Sequence, residues 1–233
     1  MKNLVYFLLF ISTFLFAQTV PIKVTYKVII ENEKDMFNDH AQLRSYFEYS
    51  MNNSWKINFV LNVDQSGSSF LAQTNDLFDK NNASDRIMLG FTGCTGSIYS
   101  FNDSIYTNIA VLGDKIFKKT PKKNNWILQD ETKKIEGYQC YKAVNVYSVE
   151  NGDKVFSHPV VAWFCPELPY QYGPNGYGNL PGLILELQVR NVVFGAYKIE
   201  LSNVKPVDLS IFQNAKIYTP EEIYKLLSDF NLD

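Results

Sequence analysis

A stretch rich in glycine and proline, residues 172–184, constrains the fold of this chain more than any other sequence feature. Four glycines and two prolines fall within eleven residues, and the apolar run Leu183-Ile184-Leu185 follows at once. Proline fixes the backbone, whereas glycine lets chain segments approach each other closely. The composition therefore predicts a tightly shaped loop that leads directly into a buried strand.

The rest of the chain is dominated by residues that favour strands. Of its 233 residues, 46% are hydrophobic and 15% aromatic, which suffices for a large core and is typical of a β-rich protein. Period-two alternation predicts strands at residues 21–31, 55–63, 68–73, 97–101, 105–112, 115–118, 126–130, 138–149, 155–165, 183–189 and 193–201. These strands follow one another through short turns, so the predicted fold class is mainly β, with a curved antiparallel sheet.

Three segments carry helical periodicity. Apolar residues recur at three- and four-residue spacing over 35–49. A short helix is predicted over 83–89. At the end of the chain, Thr219, Pro220 and Glu222 form the sequence signature of a capped helix start. We expect these few helices to pack on the concave side of the sheet.

The N-terminus has the pattern of a secretory signal peptide. A short positive segment precedes the apolar run from Leu4 to Phe16, and a small residue, Ala17, precedes the expected cleavage point. This run is about 13 residues long, whereas a membrane-spanning helix needs about 20. We predict a signal peptide at 1–17 and a single β-rich domain at 18–233. The mature chain would be periplasmic or secreted, with no stable membrane span.

Export would place the three cysteines, Cys94, Cys140 and Cys165, in an oxidising compartment. The Asn151-Gly152 turn suggests that Cys140 pairs with Trp163 across a hairpin, which leaves Cys165 one diagonal step away. A disulfide between Cys140 and Cys165 is one interpretation, and two buried thiols are the other.

Charge argues against a nucleic-acid partner. The net charge is -2 and charged residues make up 20% of the chain, so no basic field attracts phosphates. A lysine-rich cluster at residues 118–123 is the exception. It is typical of a solvated loop, and the alternative is a patch that binds an anionic ligand.

Catalytic and metal-binding patterns are scarce. The two histidines, His40 and His158, belong to no metalloprotease or hydrolase motif, and no Cys-x-x-Cys pair occurs. Seven residues along one strand, about 23 Å, would separate Cys165 from His158. We therefore predict no enzyme activity, no cofactor and no metal site. The alternative is a secreted enzyme or a metal-handling protein that uses Cys140 or Cys165.

The glycine-rich loop does not end like a phosphate-binding loop, and it opens a strand rather than a helix. It has two interpretations: an architectural element, or a rigid aromatic rim for recognition. The residues of this motif and rim are Tyr172, Gly173, Pro174, Tyr177, Leu180, Pro181, Gly182, Leu183, Ile184 and, upstream, Trp163.

Residues 126–201 resemble the GLPGLI family, whose members are exported proteins common in Bacteroidetes. The namesake motif stands here as residues 179–184, with Asn179 in place of the first glycine. The other matching segments, in order, are Trp126, Ile135-Glu136-Gly137-Tyr138, Cys140-Tyr141-Lys142-Ala143, Ala162-Trp163, Glu167-Leu168-Pro169 and Gly173-Pro174. Asn tolerates a positive φ better than other non-glycine residues, so we expect the turn to survive.

The GLPGLI resemblance implies an exported protein without an established activity. The strand pattern is also similar to the half-barrel of periplasmic lipoprotein carriers, a likeness of fold that does not fix function. We expect a non-catalytic periplasmic or cell-envelope module. Its partner would be an apolar or peptide-like ligand, or an envelope protein.

Overall fold

A computed structural model describes residues 20–122, 125–151 and 154–230 of the chain. The predicted signal peptide lies outside these residues and stays a prediction. No helix within the described ranges is both long and apolar enough to cross a membrane.

The protein is mainly β, and its described strands form one sheet. Twelve strands alternate with three helices along the chain: β1 (Ile22–Ile30), α1 (Ala41–Asn53), β2 (Ile57–Asp64), β3 (Gly67–Thr74), α2 (Ala83–Phe91), β4 (Ile98–Phe101), β5 (Ser104–Asn108), β6 (Ile116–Pro121), β7 (Ile127–Ile135), β8 (Tyr138–Asn151), β9 (Lys154–Cys165), β10 (Leu183–Val189), β11 (Val192–Glu200), β12 (Lys216–Tyr218) and α3 (Pro220–Phe230).

The strand order is β12-β6-β5-β4-β3-β2-β1-β11-β10-β9-β8-β7. All neighbouring pairs are antiparallel except β12 and β6, which are parallel, so the sheet is mixed. It is curved and remains open. The pairing of β1 with β11 joins the N-terminal meander to the C-terminal hairpins.

One face of the sheet, which we call the core face, carries the main hydrophobic core. Alternate residues of β1 and β2 supply it, because successive side chains of a strand point to opposite faces. The core side chains of these two strands are fully or almost fully buried: Ile22, Val24, Tyr26, Val28, Ile30, Ile57, Phe59, Leu61 and Val63. The alternation predicted for β1 and β2 is confirmed.

A smaller core lies on the opposite face, at the β4–β6 end. Tyr99, Tyr106 and Phe117 are buried there, and Phe212 from the segment that follows β11 packs against all three rings. The sheet is therefore covered on both faces at this end.

Backbone geometry makes one helix, α1, begin later than predicted, whereas α2 and α3 agree with their predictions. Helix α1 begins at Ala41 and not at Asp35, because Asp35 and Phe37 have φ of 64° and 61°, outside the right-handed helical region. Helix α2 agrees with its prediction and gains two residues. The capping box of α3 is confirmed: Thr219 N–H donates to Glu222 Oε2 at 2.8 Å, and Glu222 N–H donates to Thr219 Oγ1 at 3.3 Å.

Three strand predictions also need correction. The strand predicted over 105–112 ends at Asn108 as β5, and a turn follows it. The lysine-rich cluster is not a loop throughout, because residues 116–121 form β6. Strand β7 continues beyond its predicted end at residue 130 to Ile135, and Glu136 and Gly137, which follow, have positive φ. The short strand β12 was not predicted, since a parallel pair between distant segments leaves no local sequence signal.

A buried carboxylate, Asp85, anchors α2 to α1. It is 1% exposed and accepts hydrogen bonds from Tyr49 Oη (2.8 Å), Asp79 N–H (2.8 Å) and Lys56 Nζ (3.1 Å). Burial alone would raise the pKa of Asp85, but these hydrogen bonds and the lysine charge outweigh burial and lower the pKa overall.

We expect Asp85→Asn to lower the free energy of unfolding by about 1–3 kcal/mol at neutral pH, because Lys56 would lose its carboxylate counter-ion. The folded-state pKa of Asp85 lies below the unfolded value of about 3.9, so its contribution is present above that value. The contribution disappears as the pH falls through the lowered folded-state pKa. Urea titrations at several pH values would therefore show a wild-type advantage that shrinks in acid. Asp76→Asn, at an exposed position, is the control.

Candidate functional site

The glycine-rich loop is wedged into the core face of the sheet. Its two ends close on each other: Tyr172 and Gly178 form a β-bridge, and Asn179 N–H donates to the carbonyl of Gln171 at 3.0 Å. Trp126 Nε1–H donates to the carbonyl of Gly178 at 2.8 Å. These contacts fix the loop from both sides.

Close contacts at several glycines shape this loop, and two of these glycines, Gly182 and Gly176, also have positive φ. A Cβ atom at Gly182 would lie 2.1 Å from the carbonyl oxygen of Cys165, and the φ of Gly182 is +155°. At Gly176, where φ is +72°, a Cβ atom would lie 3.0 Å from Ile105 of β5. The loop therefore contacts β9 at one end and β5 at the other. Asn179 has φ of 60°, as the resemblance led us to expect.

Most residues of the predicted rim are buried within the packed glycine-rich loop. The buried members are Gly173, Pro174, Tyr177, Leu180, Gly182, Leu183 and Ile184, whereas Tyr172 is half-buried and Pro181 exposed. Ile184 also accepts a hydrogen bond from buried Tyr26 Oη at 2.7 Å. The architectural interpretation of the loop therefore accounts for most of these positions.

Trp163 lies apart from the loop aromatics, on the face opposite the core face. Its indole is 4.4 Å from Lys133 Nζ, and that lysine forms a 2.7 Å ion pair with Glu186. Trp163 is directly opposite Lys142 in β8 and Glu186 in β10. The structure thus does not bring Trp163 and Tyr177 together on one surface.

Beside the wedge, the core face opens into a cleft of about 670 Å³. Residues from two groups of strands, β4–β6 and β8–β11, line this cleft. In the strand order, β3, β2 and β1 lie between the two groups. The core face must therefore be concave. We refer to this space as the cleft.

Apolar atoms make up most of the exposed cleft wall, although polar side chains are also numerous. Its apolar residues include Phe37, Phe91, Ile98, Ile105 and Val192, and its polar ones include Thr107, Lys118, Thr120, Tyr147, Asn175, Tyr177 and Arg190. A volume of this size is typical of small-molecule sites. Of the predicted rim residues, Tyr177 alone lines the cleft.

The titratable groups of the cleft are tyrosines and cations. Burial raises the pKa of Tyr177, and neighbouring Tyr147 adds to the effect, so Tyr177 is a neutral hydroxyl at physiological pH. Arg190 is bound by Glu33, with Nη2 2.8 Å from a carboxylate oxygen, so its charge is compensated. No histidine, cysteine, aspartate or glutamate is among the described residues that line the cleft.

Sequence reasoning did not identify most of these wall residues. Tyr147 and Asn175 gave no signal of their own, because the cleft exists only where the two sheet ends face each other. Two signals were usable: the glycine-rich motif, which includes Tyr177, and the lysine-rich cluster, whose alternative interpretation as an anionic-ligand patch includes Lys118.

The three cysteines are buried free thiols. The predicted register of the β8–β9 hairpin is wrong: Lys142, not Cys140, pairs with Trp163. Continuing the observed register by one step places Cys140 directly opposite Cys165. The observed pairing is therefore shifted by two residues from the one that the Asn-Gly rule suggests.

Burial raises the pKa of Cys140 to about 12, with a further contribution from Cys165, and burial also raises that of Cys165. Neither thiol is ionised at neutral pH, which does not suit a nucleophile. His158 stacks against Tyr147, with ring centroids 6.5 Å apart, and His40 immediately precedes α1. No group of three or more His, Cys, Asp or Glu side chains in the described ranges could hold a metal.

Comparisons with known proteins support the fold more than the function. A family model described as a protein of unknown function (Porph_ging) matches residues 151–186, which is a small part of the chain. It overlaps the segment that resembles the GLPGLI family, but it does not carry that name. No curated protein matches the chain.

Two solved structures share the fold. They are described as the structure of PNGF-II in P21 and in C2 space groups, with TM-scores of 0.53 and 0.51 and 16% identity to this chain. The matches cover 90% and 89% of this chain but 33% and 32% of PNGF-II. The chain thus spans about a third of the length of that protein, and the likeness extends to fold alone.

We expect Gly182→Ala to lower the free energy of unfolding by at least about 3 kcal/mol, because the backbone strain and the clash with Cys165 add together. Gly195→Ala is the matched control, since a Cβ atom there meets nothing within 4 Å. Its effect should stay within about 1 kcal/mol. Chemical denaturation of both variants would measure the difference. A fully stable Gly182→Ala protein would contradict the architectural interpretation.

The Cys140–Cys165 disulfide stays a prediction. The observed register makes it testable, because directly opposed residues have Cα atoms about 4.5–5.5 Å apart, within the range of disulfides. In a buffer of glutathione and glutathione disulfide, the two thiols would lose two protons and two electrons to the disulfide reagent. We expect the intact mass to fall by two hydrogens in wild type and in Cys94→Ala. Cys140→Ala should show no such loss, and a loss in that variant would contradict the pairing.

Proposed function

We propose that this protein is an exported, non-catalytic module that binds a small, largely apolar ligand in the cleft. One observation carries the proposal: among the described residues, no histidine, cysteine or carboxylate lines this concave space of about 670 Å³. Active sites for hydrolysis or transfer commonly take their nucleophile, general base or metal ligands from these residue types.

The architecture supports binding in a second way. The glycine-rich loop forms a rigid wall of the cleft, because backbone contacts with β9 and β5 hold it. A wall that is already ordered loses little conformational entropy when a ligand binds. Tyr177 and Asn175 are the loop residues that this wall presents to a ligand.

The alternative, an exported enzyme or metal-handling protein that uses Cys140 or Cys165, draws less support. Both thiols are fully buried and neither lines the cleft. Their raised pKa values disfavour the thiolate that catalysis and metal binding require. The exported location rests on the signal-peptide pattern, and N-terminal sequencing of the protein from culture fractions would test it.

Filling the cleft tests the proposal directly. Gly90 lies at the end of α2, lines the cleft and has no atom within 4 Å of its Cβ position. Gly90→Leu would therefore add apolar bulk at the cleft wall with no clash at its Cβ atom, and leucine favours a helix more than glycine does. We expect it to weaken binding of the neutral apolar dye N-phenyl-1-naphthylamine by roughly fivefold or more, about 1 kcal/mol.

Gly195→Leu is the matched control, because its Cβ position is equally open and Gly195 lines none of the cavities described. Its dye affinity should equal that of wild type, measured by fluorescence titration. Equal dye binding by Gly90→Leu, or no saturable binding by wild type, would argue against the cleft as a ligand site.

A further inference from the structure

Lys118 has a distinct position in the cleft. Strand alternation in β6 puts Phe117 into the small core on the opposite face and Lys118 on the core face. Lys118 is half-buried. It also lines an adjoining cavity of about 460 Å³, and Gly93, Ile98 and Thr107 line both spaces. Lys118 thus lies where the two cavities meet.

The charge of Lys118 is not compensated by the described part of the protein. No described carboxylate lies within ion-pair distance of it. The other cations near the cleft have partners: Arg190 is paired with Glu33, and Lys122 lies 3.7 Å from Asp103. Lys118 therefore gives the cleft an uncompensated positive charge.

Hydroxyl groups and apolar side chains both lie close to this charge. Thr107 is the direct cross-strand neighbour of Lys118, and Thr120 lies two residues along β6 on the same face. Both hydroxyls can donate a hydrogen bond to an anion beside the ammonium group. Ile98 and Ile105 are the cross-strand partners of Thr107 and Thr120, and with Val192 they add apolar surface to the wall.

We propose that the cleft binds an anionic amphiphile, with its single carboxylate or similar head at Lys118 and its apolar body along Ile98, Ile105 and Val192. This inference rests on the proposed function, which it makes more specific. The anionic head supplies a negative counter-charge for the ammonium group of Lys118. The apolar body covers the hydrophobic wall and removes it from water. The same chemistry serves a free long-chain acid and a lipid with a small anionic head.

The test compares decanoate with 1-decanol, which have the same chain length and differ in the charge of the head. Each displaces N-phenyl-1-naphthylamine from the protein below the concentration at which the amphiphile aggregates. We expect decanoate to bind wild type about tenfold more tightly than decanol, the range of a charge-assisted hydrogen bond. Lys118→Met should abolish this preference while decanol binding is retained, and Lys118→Arg should preserve it.

Lys119→Met is the matched control. Lys119 is the next residue of β6, on the opposite face, where its ammonium group lies 5.8 Å from the centre of the Tyr106 ring. The preference for decanoate should survive this change. Loss of the preference in Lys119→Met, or equal binding of the acid and the alcohol by wild type, would overturn the inference and leave the proposed function intact. Displacement by neither compound would count against both.

The two sources of an anionic amphiphile can also be separated. Wild type would be mixed with neutral lipid vesicles that contain either free decanoic acid or an anionic phospholipid. Transfer of acid into the protein, with no vesicle binding, identifies a free acid as the ligand. Extraction of the phospholipid identifies a lipid head, and both results support the inference. Transfer of neither compound would overturn it.

Discussion

The close approach of Gly182 to the carbonyl of Cys165 is the contact on which the rest of this structure depends. With no Cβ atom, the loop after β9 can lie directly against the end of that strand and then enter β10. The same loop reaches β5 through Gly176. Because these strands belong to opposite ends of the sheet, the loop holds the curvature and also bounds the cleft. Architecture and candidate site are therefore two consequences of one packed loop.

Local patterns made much of the fold predictable. The alternation of β1 and β2, the β10–β11 hairpin and the capping box of α3 are all set by residues close in sequence. The predictions that were wrong concerned strand pairs between distant segments or depended on special backbone geometry. The parallel pair of β12 and β6 joins segments about a hundred residues apart. The register of β8 and β9 depends on a turn whose residue preferences permit more than one alignment.

The candidate site was less predictable than the fold for a related reason. A motif shows where the chain is constrained, but residues 172–184 are constrained chiefly by their own packing. The cleft forms where strands from both ends of the sheet face each other, so its wall has no contiguous sequence. Lys118 illustrates this. Its neighbours Phe117 and Lys119 lie on the other face, and only the strand assignment separates the members of the lysine-rich cluster.

The likeness to PNGF-II shows that this fold also occurs within a much longer chain, but at 16% identity the fold leaves the lining of the cleft undetermined. The lining must therefore be judged by its own energetics. Lys118 lines the cleft, and no carboxylate of the described residues lies within ion-pair distance of it. An anionic group beside Lys118 would therefore form a charge-assisted hydrogen bond without first displacing a described protein carboxylate.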